Sequence, residues 1–433
     1  MTKARTLADL ISDNAELADG QISVAEVVGA APLANPNFTG TATVAGNLSV
    51  DGGTIKLDGN YPTGTGNVAL GNDALVDGSL SGSYNTAIGW LALTVNTSGQ
   101  INTAVGGKAL TSNTTGSDNV ALGYGAMRDN TSGSNNTALG RGALPANTTA
   151  SNNTAVGYQA GYSNTTGQEN TAVGMTSAAN NTTGSYNTSL GKGTLETNTT
   201  GTQNTAVGTN ALQLATTASY NTAVGMSALA ANTTASYNVA VGYQSLYSGA
   251  ISSNNTAVGT QALYSMAYSG DGFNTAVGYT AGLNATTGYN LALLGHRAGY
   301  SITTGGNVVA IGSSALDANT TGSSNVGVGT NALGANTTGG SNSALGDSAL
   351  AANTTASYNT SVGYQAAYAN TIGAALTAIG AQSLMTNTSG GYNTALGNNT
   401  LRLNTTGNYN VALGMYALDA NTTASSNTAV GYQ

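Results

Sequence analysis

Few side chains in this sequence have the chemistry for catalysis, and none are spaced for it. His296 is the single histidine and cysteine is absent, which excludes histidine-cluster metal sites, disulfides and thiolate ligands. Asp118, Asp129, Glu169 and Asp347 are scattered and never recur as Asp-x-Asp, the pattern a glycine-rich calcium repeat would need. Gly-x-Gly matches follow the period of the chain, so they carry no phosphate-loop meaning. The expectation is a protein that is not an enzyme and holds neither cofactor nor metal.

Tyrosine is the one suggestive type. Tyr124, Tyr158, Tyr243, Tyr279 and Tyr364 each follow a short apolar stretch closed by glycine, while Tyr84, Tyr186, Tyr220, Tyr237, Tyr289, Tyr358, Tyr392 and Tyr409 precede one. A ring with an apolar face and a polar tip, set beside Asn and Thr, can stack on a sugar. The first five are therefore candidate contacts to a host surface polysaccharide. Packing between neighbouring units is the competing reading.

What positions these residues is a seventeen-residue sentence, Asn-Thr-Ala-Val-Gly-x-x-Ala-Leu-x-x-Asn-Thr-Thr-Gly-Ser-x, repeated from about residue 67 onward. Counting from its first Asn, the glycine at position five stands in register 22 times, from Gly71 and Gly89 to Gly431, with one eighteen-residue and one nineteen-residue step. A fixed period of this length means one supersecondary unit stacked on itself.

Positions one to five, as in Asn85-Thr86-Ala87-Ile88-Gly89, read as a strand. Alternation puts positions two and four on one apolar face and the small Ala on the other. Position nine, Leu in fifteen of the 21 complete repeats, reads as the plug of the interior, followed by a short second strand. Asn113-Thr114-Thr115-Gly116 and its copies read as turns. Asn occupies position one in nineteen of 22 copies, the exceptions being Leu291, Val308 and Leu376, and stacking predicts an amide ladder there. The fold class expected is all-β: a parallel β-roll or β-solenoid shaft over residues 67–433.

Ahead of the array, residues 1–34 carry an apolar pattern compatible with short amphipathic helices, serving as an attachment segment. Residues 35–66 read as a β-rich spacer, with strands over 38–44, 47–50 and 54–57. With 17 acidic and 9 basic residues, and only ten and six of these after residue 60, the net charge of −8 disfavours nucleic acid. No run approaches the roughly twenty apolar residues of a membrane helix. Asp9 interrupts what a signal peptide would need as an apolar run, so export by the general secretory route is not expected.

One coil of seventeen small residues encloses little. Burial at about 25 cal/mol per Å² barely offsets about 1–2 kcal/mol per residue of backbone entropy, so an apolar flank is expected to be covered by identical copies around an axis.

Asn238-Val239-Ala240-Val241-Gly242 and Asn410-Val411-Ala412-Leu413-Gly414 resemble the head repeats of trimeric autotransporter adhesins, whose Ser-Val-Ala-Ile-Gly-like units stack as left-handed parallel β-rolls in a homotrimer. That family's repeat is shorter, which makes the Asn-Thr-Thr-Gly turn an added loop. Whole repeats such as 237–253 resemble bacteriophage and giant-virus fibre proteins, often followed by a self-cleaving chaperone domain, and 35–44 is similar to strand-forming spacers near the N-termini of phage tail fibres. The resemblance implies a homotrimeric virion fibre assembled in the host cytoplasm, docked on other virion proteins by its N-terminus. It implies a receptor-binding tip or chaperone beyond the array. Two other classes compete: a glycan-binding surface adhesin, and an ice-binding solenoid using its Thr columns.

Overall fold

In the computed structural model, residues 64–77, 80–248 and 251–433 are described. All of these belong to one unit, Asp58–Gln433. The expected N-terminal helices and nearly all of the expected spacer lie outside them.

The repeat is a solenoid rung. Its strand is three residues long in most copies, from Val68–Leu70 and Thr86–Ile88 to Thr428–Val430, and 22 such strands form one sheet. Every pairing is parallel and joins equivalent residues one repeat apart, as in Thr103↔Val120, Ala104↔Ala121 and Val105↔Leu122. At about 4.8 Å per strand the stack is about 100 Å long. No helix occurs among the described residues.

Alternation sets which side chains face in. Ala87, Ala104 and Ala121 at position three are fully buried, whereas Ile88 and Leu122 at position four are 37% and 43% exposed. Positions two and four share a face, as expected, and that face is the outer one. The outward positions two and four, Thr or Val and Val, Ile or Leu, add nothing to the interior. It is built from Ala at three and eight, Leu at nine, and two columns of Asn.

The expected second strand is absent from the regular rungs, and this part of the expectation is corrected. Positions seven and nine turn left-handed instead: Leu91 and Leu93 have φ of 57° and 52°, Lys108 and Leu110 of 60° and 50°. An L-residue there costs roughly 1–2 kcal/mol. Full burial of a leucine contributes about 1.5–3 kcal/mol, so the turn that drives Leu110 inward is tolerated. The rungs remain joined through this turn by backbone bonds, such as Leu110 N–H to the Ala126 carbonyl at 3.0 Å and Thr114 N–H to the Thr131 carbonyl at 2.9 Å.

Both Asn columns are buried and mostly paired, but in different ways. At position one the side-chain oxygen accepts a backbone N–H from the next rung: Asn102 N–H donates to Asn85 Oδ1 at 3.0 Å, and Asn119 N–H to Asn102 Oδ1 at 3.1 Å. Several of these amides also donate along the column, as expected, Asn102 Nδ2 to Asn85 Oδ1 and Asn136 Nδ2 to Asn119 Oδ1 at 3.1 Å, and a second amide-to-amide ladder runs at position twelve, where the sequence suggests only a turn. Asn113 Nδ2 donates to Asn96 Oδ1 at 2.9 Å, and Asn130 Nδ2 to Asn113 Oδ1 at 2.7 Å. The Gly116 carbonyl accepts from both columns, Asn102 at 2.9 Å and Asn113 at 3.0 Å. Such amides are costly to bury unpaired, and the period pairs them.

The position-twelve ladder has a gap where Ala215 stands in place of Asn, and Asn198 Oδ1 is left buried without a partner. Ala215→Asn is expected to close the gap and raise stability by about 1 kcal/mol, read as a rise in the denaturant midpoint.

Candidate functional site

The largest outward feature is the column at position four. It is Val, Ile or Leu in all 22 rungs although it faces away from the interior. Leu70, Leu122, Leu139, Leu190, Leu294, Leu345 and Leu396 are each 41–52% exposed. With the Thr and Val of position two beside it, the column makes an apolar stripe of about 1,000 Å² along the stack. That exceeds the roughly 300–600 Å² patch usual on a monomer.

The five tyrosines singled out from the sequence are 41–56% exposed and share position six. They do not form one platform. Tyr124 and Tyr158 are two rungs apart, as are Tyr243 and Tyr279, and five rungs separate these pairs from each other and the second from Tyr364. Tyr279 stacks on His296 with ring centroids 5.6 Å apart and planes within 6°. Tyr220–Tyr237 and Tyr392–Tyr409, both at position seventeen, stack at 5.0 Å with planes within 9°. The spacing matches the rung spacing, so each pair spends a ring face on its neighbour. Tyr289 differs from this group: Asn290 takes the left-handed position seventeen, with φ 53°.

Two of the three ion pairs of Arg297, Arg402 and Arg128 join neighbouring rungs, and none converge on a site. Arg297 forms a two-pronged pair with Asp317 at 3.0 Å and lies 4.2 Å from the Tyr300 ring centroid. Arg402 pairs with Asp419 at 2.9 and 3.3 Å, and Arg128 with its neighbour Asp129 at 2.8 and 2.6 Å. In each case the hydrogen bond to the Asp raises the guanidinium pKa above its usual value. A raised folded-state pKa gives stability that is complete below the unfolded value and lost only as pH rises through the folded one. These groups therefore give the denaturation midpoint no slope between about pH 5 and 9, which a denaturant series across that range checks. Among the described residues no three of His, Asp and Glu come together.

The sequence matches no protein-family model, and no curated protein is significantly similar to it.

A second surface feature was not singled out from the sequence. Position fourteen, from Ser98, Thr115 and Ser132 through Thr234, points outward in nine consecutive rungs. At position thirteen the hydroxyls are turned to the backbone, Thr114 donating to the Thr131 carbonyl at 3.0 Å. The Asn-Thr-Thr triplet thus has one Thr that binds the stack and one that meets solvent.

Proposed function

We propose that this chain is the shaft of a homotrimeric virion fibre, a non-enzymatic spacer. Residues 1–34 attach it to the particle, and the stack holds a receptor-binding element at a distance from it. The observation that carries this reading is the unbroken apolar column at position four. A flank of that length is left wet in a lone chain, whereas three copies around an axis cover it, and closed rotational symmetry leaves no apolar flank open. The parallel ladders supply stiffness, since each rung is held by both neighbours. The repeats' likeness to trimeric adhesin heads and phage fibres points the same way and gives the trimer number. Its place is then the particle surface, after assembly in the host cytoplasm.

Negative-stain imaging with a solution mass tests the reading. A rod with three times the chain mass supports it, and a monomeric mass at micromolar concentration rejects it. The outward hydroxyl column at position fourteen favours a second reading, ordering of water on ice, which an assay for thermal hysteresis decides.

A further inference from the structure

Repetition makes this fold possible and also makes it ambiguous. Most rungs offer the next one the same partners, so a chain that omitted a repeat and stacked a rung on its second neighbour would keep nearly every contact. The ladders do not forbid this, because a column of Asn looks alike at every level.

One short block is not interchangeable. Leu293 stands at position three, where every other rung has Ala, Ser or Gly, and it is buried. Its room is made by the rungs on which it sits. Position nine is Gly282 in one rung and Gly299 in the next, the only consecutive pair of glycines in that column. A Cβ on Gly282 would lie 2.7 Å from Leu293 Cδ1 and 2.9 Å from Leu263 Cδ2, and one on Gly299 would lie 2.9 Å from Leu293 Cδ2 and 2.7 Å from Ile302 Cδ1. Leu293 therefore fills the space that position-nine leucines fill elsewhere.

Around it the Asn columns give way to apolar residues. Met266, Ala285 and Ile302 occupy position twelve, and Leu291 and Val308 position one, all buried. The strands Leu291–Leu294 and Val308–Ile311 are four residues long, the longest in the sheet. Large-to-small matching of this kind tolerates one neighbour and rejects a leucine-plugged rung, because overpacking a dense core is itself costly.

We propose that the rungs spanning 274–312 are the register key of the stack: they form first, and rungs are added to them in both directions with the correct neighbour. Arrays of this type can nucleate at any level, and the level with the most apolar burial and a unique fit is favoured. The inference concerns assembly within one chain and holds whatever the oligomer.

Pulsed hydrogen exchange read by mass spectrometry during refolding of the full chain tests it. Amides of 275–311 are expected to gain protection at least tenfold sooner than those of 103–156. Leu293→Ala and Leu110→Ala delete the same atoms at two levels. The first is expected to slow folding about tenfold, and the second to leave the folding rate within twofold while speeding unfolding. Simultaneous protection of both segments, or equal slowing by both variants, overturns the proposal. Should Leu293→Ala not fold, the labelling order in the unmodified chain decides alone.

Discussion

Gly242→Ala is expected to break the stack where it is made, at a cost of about 3–5 kcal/mol. Gly242 has φ 132°, and a Cβ there would meet the carbonyl carbon and oxygen of Gly259 at 2.6 Å. Those atoms are backbone of the next rung, fixed by the Gly259 N–H bond to the Val241 carbonyl at 2.7 Å and by the turn bond from Ala262 N–H to the Gly259 carbonyl at 3.3 Å, so they cannot swing aside as a side chain would. The added methyl forces the rungs apart or the strand out of register. Native-state hydrogen exchange gives the measurement: amides of the adjoining rungs, such as Val239 to Val258, should lose protection by a hundredfold or more, while rungs near 103–139 keep theirs. Ala at this position with unchanged exchange would show that the column of glycines is not a steric requirement.

Val224→Asp combined with Val241→Asp is expected to dissociate the proposed trimer. Both residues lie in the outward stripe on adjacent strands, so neither change empties the interior of its own rung. In a trimer they place six carboxylates in a dry interface, each costing several kcal/mol. Light scattering should report a fall from three chain masses to one. Thr149→Asp with Thr166→Asp, on the exposed turn column, adds the same charge and should leave the mass unchanged. If both pairs retain the mass of the unmodified chain, the stripe is not the shared surface.

Much of this architecture was readable from period and alternation. Seventeen-residue spacing marks the rung, and Ala87 against Thr86 and Ile88 marks the two faces of the strand, though not that the small-residue face is the one turned inward. The left-handed turns were not readable, because Leu93 or Leu110 at φ near 50° runs against the intrinsic preference of leucine. Tertiary burial overrides that preference. The local hints are the Gly and Asn at position seven, as Gly125, Gly142 and Asn210, and the Gly at position nine, as Gly161, Gly282 and Gly299. The second Asn ladder was hidden for a related reason. Asn-Thr-Thr-Gly is strong turn chemistry, and Asn113 does bond the carbonyl three residues ahead. Only the stacking of rungs brings the same amide against Asn96. The tyrosines were legible as columns but not as sites, since whether a ring turns to its neighbour or to solvent depends on what stands one rung away.

Asn113-Thr114-Thr115 and its copies spell the acceptor signal for N-linked glycosylation. The nitrogen that would carry the sugar is fully buried and gives both of its protons away, to Asn96 Oδ1 and to the Gly116 carbonyl. At Asn113 a finished rod offers no attachment point, and a nascent chain modified there before its coils close could not close them. Secretion from yeast or animal cells should therefore yield decorated, uncoiled polypeptide, whereas synthesis in a bacterial cytosol avoids the conflict.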